Sequence, residues 1–210
     1  MQVFQLKADF RFQSFFPYDP KDPQGEEIVK ADIVQGRNVS KVATWVPPPI
    51  FVNKPELERG NFTKVWGFNG FAVDTRACEV LKGIFDENCE LLPFLPHEGE
   101  TFYRLNVLNI VDCLDAEKTK WKLQPNGEKS LQVEEYQFDP TRFNRGTLFK
   151  LPKQSALLTV TGVFPEKSDF KKLVEHEGLT GLKFEEVWSE GGPPIRVKNL
   201  AQRLKPVDSK

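Results

Sequence analysis

Phe4, Leu6, Ala8, Phe10 and Phe12 alternate with Gln5, Lys7, Asp9 and Arg11. Side chains two apart on an extended chain point the same way, so this period predicts a strand over 3–13 with one buried face. The chain carries 18 phenylalanines against one methionine. Rigid rings fit the pleated surface of a sheet, which points to a β-rich core. Further strand-like runs occur at Ile50 to Val52, Thr63 to Val73, Leu91 to Leu95, Phe102 to Val111, Leu148 to Leu151, Ala156 to Phe164 and Leu182 to Trp188. Pro125-Asn126-Gly127 is a turn signal between Trp121–Leu123 and Leu131–Phe138, which predicts a hairpin. Residues 17–27 hold three prolines and Gly25 and predict a loop, and Pro47-Pro48-Pro49 predicts irregular extended chain.

Two helices interrupt this pattern. Ala77, Val80, Leu81, Ile84 and Phe85 form one apolar stripe within 74–88, with Asp74 placed to cap the first turn. Ser168 is placed to cap a second helix carrying Phe170, Leu173 and Val174, and Gly178 is placed to end it. Phe71 to Phe94 and Gly162 to Trp188 therefore share one pattern of strand end, capped helix and strand. The expected fold is α+β, mainly antiparallel sheet with two or three short helices packed on it. One domain over 1–190 is expected, followed by a polar, loosely ordered tail over 191–210.

The formal net charge of -1 gives no basic excess of the kind a nucleic-acid footprint needs. The opening MQVFQLKADFRF lacks the basic and apolar regions of a secretory signal, and no apolar run approaches the ~18 residues of a membrane span. A cytoplasmic location is expected, with Cys78, Cys89 and Cys113 reduced. A Cys78–Cys89 disulfide fits the spacing but lacks an oxidising setting. Asn38-Val39-Ser40 and Asn61-Phe62-Thr63 match the glycosylation pattern, which carries no weight without a secretory signal.

No recognisable catalytic set emerges. His97 and His176 lie outside any H-E-x-x-H or zinc spacing, no G-x-S-x-G elbow occurs, and the glycine-rich stretches lack a phosphate-loop lysine. Neither a cofactor nor a metal is expected. Asp112 and Asp115, with Glu117 beyond, are the carboxylates that a hydrolase would place in one cleft. Together with Glu134-Glu135 they equally suit an acidic surface receiving a basic partner. Trp45 and Phe51 flank the proline run, where they either present rings to a partner or lie in the core.

The run from Tyr103 to Asp115, YRLNVLNIVDCLD, is similar to a signature of one family, as is Asp169 to Glu175 running into Gly178 to Trp188. Phe138-Asp139-Pro140, Leu148 to Leu151 and the helix ending in Glu90-Leu91-Leu92-Pro93 add to the likeness. Together they resemble the immunity proteins of bacterial polymorphic-toxin systems, the family numbered eleven among immunity families and first catalogued as a domain of unknown function. The resemblance spans roughly 70–190 and leaves 1–60 without a family pattern. It implies a cytosolic antidote that binds a cognate toxin domain and blocks it sterically, with no enzymatic activity, no nucleic-acid or membrane partner, and homodimerisation left open. The motif names no toxin-contacting residues; Trp45, Phe51, Asp112, Asp115, Glu117, Glu134 and Glu135 are the candidates. A small-molecule or glycan-binding module and a carboxylate-based hydrolase are the alternatives.

Overall fold

The computed structural model describes residues 1–22, 26–27, 29–30, 38–68, 70–143 and 146–197. Its strands are β1 (Gln2–Ala8), β2 (Ser14–Phe16), β3 (Phe51–Asn53), β4 (Phe62–Val65), β5 (Phe71–Asp74) and β6 (Cys89–Pro93), then β7 (Phe102–Val107), β8 (Lys120–Leu123), β9 (Lys129–Glu135), β10 (Leu148–Phe149), β11 (Leu158–Thr161) and β12 (Leu182–Ser189). The short helices α1 (Thr75–Val80), α2 (Lys82–Asn88) and α3 (Phe170–His176), delimited among the described residues, join these strands in an α+β fold. One sheet runs β10-β11-β1-β12, a second β3-β2-β4-β5-β7-β6, and β8-β9 form a separate hairpin. All pairings are antiparallel except β2 with β4.

The repeated pattern of the sequence has a topological meaning. β5 and β6, joined by α1 and α2, lie on either side of β7. β11 and β12, joined by α3, lie on either side of β1. Each is a split β-α-β unit, with the two strands of the crossover separated by an antiparallel central strand. β4 flanks the first unit as β10 flanks the second. The two units turn their helices towards each other. Leu6 and Leu148 from one sheet, Phe62, Val73, Leu105 and Val107 from the other, and Ala77, Leu81, Phe85, Phe170 and Val174 from the helices form one core cluster. Burying each of the larger side chains contributes roughly 1.5–3 kcal/mol.

The opposite face of each sheet has its own cover. Val3, Leu158, Val160, Val187 and Trp188 pack under Val111, Cys113, Tyr136, Phe138 and Phe143. Phe15, Val65, Ala72 and Phe102 pack under Ile50, Phe68 and Phe94, with Trp45 at the rim. β1 thus has two buried faces over part of its length. Val3 belongs to one core and Leu6 to another, as the period of two requires, and a β-bulge opposite Val3/Phe4 brings both Val187 and Trp188 of β12 into the first of these cores.

Several elements differ from their sequence expectation. β1 stops at Ala8 and not at 13, because the Asp9 carboxylate accepts the Arg11 backbone N–H at 3.1 Å and turns the chain. The first helix is broken at Leu81 (φ -100, ψ 13), two residues before Gly83. Asp74 does cap it, accepting the Ala77 N–H at 2.7 Å. The second helix is capped by Asp169 rather than Ser168, its carboxylate accepting the Lys172 N–H at 3.2 Å. Gly178 follows that helix at φ +62, as a C′ glycine should. The expected hairpin is β8–β9, with Gly127 at φ +83 in its turn. Of the polar stretch from 191, Arg196 and Val197 pair with β9. Residues 198–210, and Pro23-Gln24-Gly25 of the expected loop, lie outside the described residues.

The two sheets touch directly at one crossing. The Phe62 N–H of one sheet donates to the Thr180 carbonyl at the entry to β12 of the other at 2.9 Å, beside the 3.0 Å Asp9–Gly181 bond that ends the β1–β12 ladder. The Asn61 side-chain oxygen accepts from the Thr180 N–H at 3.0 Å. A Cβ built on Gly181 (φ +94) would lie 1.8 Å from the Phe62 carbonyl oxygen. We therefore expect Gly181→Ala to lower the unfolding free energy in urea by more than about 3 kcal/mol. Gly178→Ala, where a Cβ meets nothing within 4 Å, should cost only about 1–2 kcal/mol for its left-handed backbone.

Candidate functional site

The residues that sequence reasoning put forward fall in different places. Trp45 is half-buried, its ring 5.9 Å from Phe68 and its indole N–H donating to the Pro93 carbonyl at 2.7 Å. The Arg104 guanidinium lies 5.4 Å from the same ring, so Trp45 is a packing residue at the rim of a core. Asp112 and Glu117 are exposed. Asp115 accepts the backbone N–H groups of Glu117 and Lys118, each at 3.2 Å, and pairs with the Lys118 ammonium at 2.8 Å. These contacts hold the Asp115 carboxyl below the usual carboxylate range, the Lys118 hydrogen bond first among them. Glu135 pairs with Lys120 at 2.7 Å and Glu134 with Arg196. All five of these acids therefore sit beside the chain's own bases or turns or in open solvent. None of the five lines the open depression of about 610 Å³ between β12 and α3, and Asp115 is committed to capping a turn.

The thiols are poor nucleophiles. Cys78, Cys89 and Cys113 are all free, and burial pushes each up to about 12. Among the described residues no group of three or more His, Cys, Asp and Glu side chains could hold a metal ion.

Phe51 leads to a different surface. It lies directly opposite Phe16 on β2, as Asn53 lies opposite Ser14. Directly opposed residues of an antiparallel pair share a face. Lys64 and Trp66 on the neighbouring strand continue that face, with the Trp66 N–H donating to the Phe15 carbonyl at 2.8 Å. Further along the sheet the same face is filled by Phe71, Val73 and Leu105 against the helices. At the β3–β2–β4 end no described residue covers it in that way.

Aromatic rings occupy this uncovered end. Phe10 stacks on Trp66 at 6.0 Å and 22°. Trp66 stacks on Phe16 at 6.3 Å and 21°, and Phe16 meets Tyr18 edge-on at 5.9 Å. Phe10 is 58% exposed and Trp66 37%. The row is held in place by polar contacts beneath it. The Trp66 indole N–H donates to the Ser14 hydroxyl at 2.9 Å, and that hydroxyl also accepts from Asn53 at 3.0 Å. Phe10 stands out because of the Asp9 turn, in which the buried carboxylate also accepts from the Arg11 guanidinium and pairs with Lys183 at 3.2 Å. Sequence reasoning singled out Phe51 of this surface and missed Trp66, Phe16 and Tyr18. It took Phe10 for a buried strand residue, since nothing in the alternation marks where the strand stops.

The family-like motifs lie elsewhere and hold the fold together. Beyond β7, the run from Leu108 to Asp115 crosses from one sheet towards the other. The Asn109 side chain donates to the Leu148 carbonyl at 3.0 Å, Val111 N–H to Lys150 at 2.9 Å, and Asp115 N–H to Gln137 at 2.9 Å. The block from 169 to 188 is α3 and β12, and Trp188 is a buried anchor bonded to Gln137 at 3.2 Å. Among the described residues no helix is long and apolar enough to cross a membrane. No protein-family model matches the chain, and no curated protein does either.

Arg11 hydrogen bonds hold the Asp9 carboxyl far below its ordinary value, against burial that raises it. A depressed carboxyl contributes stability that is present above the unfolded-state value of ~3.9 and lost as pH falls through the lower folded value. Asp9→Asn should therefore be less stable than wild type at neutral pH, with the difference in denaturation midpoint closing as pH is taken below about 4.

Proposed function

We propose that this protein is an antidote that binds a toxin domain in the cytoplasm and neutralises it by steric occlusion, without chemistry of its own. The single observation that carries a binding role is the aromatic row Phe10–Trp66–Phe16–Tyr18, exposed at Phe10 and Trp66, half-buried at Phe16 and Tyr18, and braced by Ser14 and Asn53. Exposed apolar patches of this kind mark interaction sites, and Trp and Tyr dominate the energy of protein interfaces. A ring already fixed by hydrogen bonds loses little freedom on binding, which favours affinity. The toxin class of the partner is supported by the resemblance of 103–115 and 169–188 to the immunity family. An antidote that acts at low concentration needs a Kd of ~1 nM or tighter, which an interface of roughly 1,600 Å² supplies when its central residues pack well.

Co-expression with the product of the neighbouring gene tests the reading. The partner alone should arrest growth, the pair should grow and co-purify, and Trp66→Ala or Phe10→Ala should weaken the complex by at least about tenfold. A neighbour that is harmless alone, or full protection without any complex, would overturn it. Unchanged affinity in both variants would move the contact away from the aromatic face.

A further inference from the structure

We infer that the outer edge of β12 pairs antiparallel with β12 of a second copy of this chain. β12 is eight residues long and the last strand of its sheet, with β1 on one side. Which of its backbone groups face outward follows from two bonds. On β1 the Leu6 N–H donates to Leu157 on the β11 side, whereas the Asp9 N–H donates to Gly181 on the β12 side. Odd residues of β1 therefore face β12. Through the register Gln5↔Glu185 and Lys7↔Lys183, the odd residues of β12 face β1 in return. Leu182, Phe184 and Glu186 are left to point their N–H and C=O groups outward. The Thr180 carbonyl agrees, since it points outward and is taken by the Phe62 N–H.

The sister unit shows what such an edge requires. β6 stands to its unit as β12 stands to the other, and the chain's own segment covers it. The Leu95 N–H donates to the Pro48 carbonyl at 2.9 Å, Trp45 donates to Pro93, and Glu90 accepts from Lys41 at 2.9 Å. No described residue does the same for β12 beyond Thr180. A strand of this length whose outward backbone groups meet no described residue is a ready template for another strand.

The side chains select a second copy as the occupant. A two-fold axis through Phe184 sets Lys183 opposite Glu185 of the other copy, and Glu185 opposite its Lys183. Both contacts fall in the non-hydrogen-bonded positions where opposed side chains come closest. The charges that guard an edge strand against strangers are thus complementary to themselves in this one register. Phe184 would pair with its own copy and Leu182 with Glu186, giving about six backbone hydrogen bonds across the axis. On the α3 side of the sheet, Phe184 and Leu182 also line the open depression of about 610 Å³, with Lys171 and Leu179 opposite them. Rings and methyl groups of the second copy would meet its mouth. This interface is separate from the aromatic face, so loss of either leaves the other standing.

The test is sedimentation of the full chain across a dilution series, with deuterium exchange read at single amides. The expected result is a dimer in which the Leu182, Phe184 and Glu186 amides are protected and lose protection on dilution. The Lys183 and Glu185 amides, bonded to β1, should stay protected throughout. Lys183→Glu alone and Glu185→Lys alone should each raise the dissociation constant at least tenfold, and an equimolar mixture of the two should regain the dimer. A monomer at every concentration would overturn the inference. So would a dimer whose 182, 184 and 186 amides exchange freely, or one indifferent to both charge reversals. If the variants unfold through loss of the Lys183–Asp9 or Glu185–Lys7 pairs, amide exchange in the wild type decides alone.

Discussion

The carbonyl of Phe62 passes over Gly181 with no room for a side chain between them, and at that crossing the two sheets share hydrogen bonds directly. Asn61 reinforces the contact from one side, bonded at once to Thr180 and to Asp74 at 2.8 Å. Asp74 in turn caps α1. One small patch therefore couples the end of β1, the entry to β12, the start of β4 and the first helix. The angle between the sheets, and with it the space that the helices fill, depends on a residue that has no side chain.

The two split units give the molecule an internal likeness that its chain order hides. In one the central strand follows the helix, and in the other the central strand is β1. Because both units direct their helices inward, neither can bury its apolar stripe alone. The run from Leu108 to Asp115 then spans the units covalently, which is why its asparagine and backbone groups are spent on internal bonds. The residues that carry the family resemblance hold the two units together, while the exposed aromatic row is built from segments outside that pattern. Here Phe10, Phe16 and Trp66 come from three separate stretches of the first third of the chain.

Local chemistry was legible where it acts locally. The alternation of β1, the Asp74 cap, the Gly178 stop and the Pro125-Asn126-Gly127 hairpin all depend on neighbours within a few residues. The end of β1 was not, because Phe10 and Phe12 continue the period and only the Asp9 carboxylate breaks it. The aromatic face was half visible, through Phe51 alone. Its other rings meet by way of strand pairings between β2, β3 and β4 that no short window contains. The surroundings of the acids were hidden for a related reason. Sequence shows carboxylates side by side, but not that Asp115, Glu134 and Glu135 meet a turn amide, an arginine and a lysine that folding brings up, while Asp112 and Glu117 stay exposed.

The position of β1 has a consequence for how the molecule is made. Gln5 pairs with Leu158 on one side and Glu185 on the other, so the central strand of that sheet must wait for partners more than about 150 positions away. At ribosomal speeds of about 5–20 residues per second, its apolar side chains stay without a home for roughly ten to thirty seconds. During that interval the first unit can already close on β7. Chaperone dependence of the nascent chain should thus reside in its earliest residues, and yield should respond to translation rate more than to the stability of the finished protein.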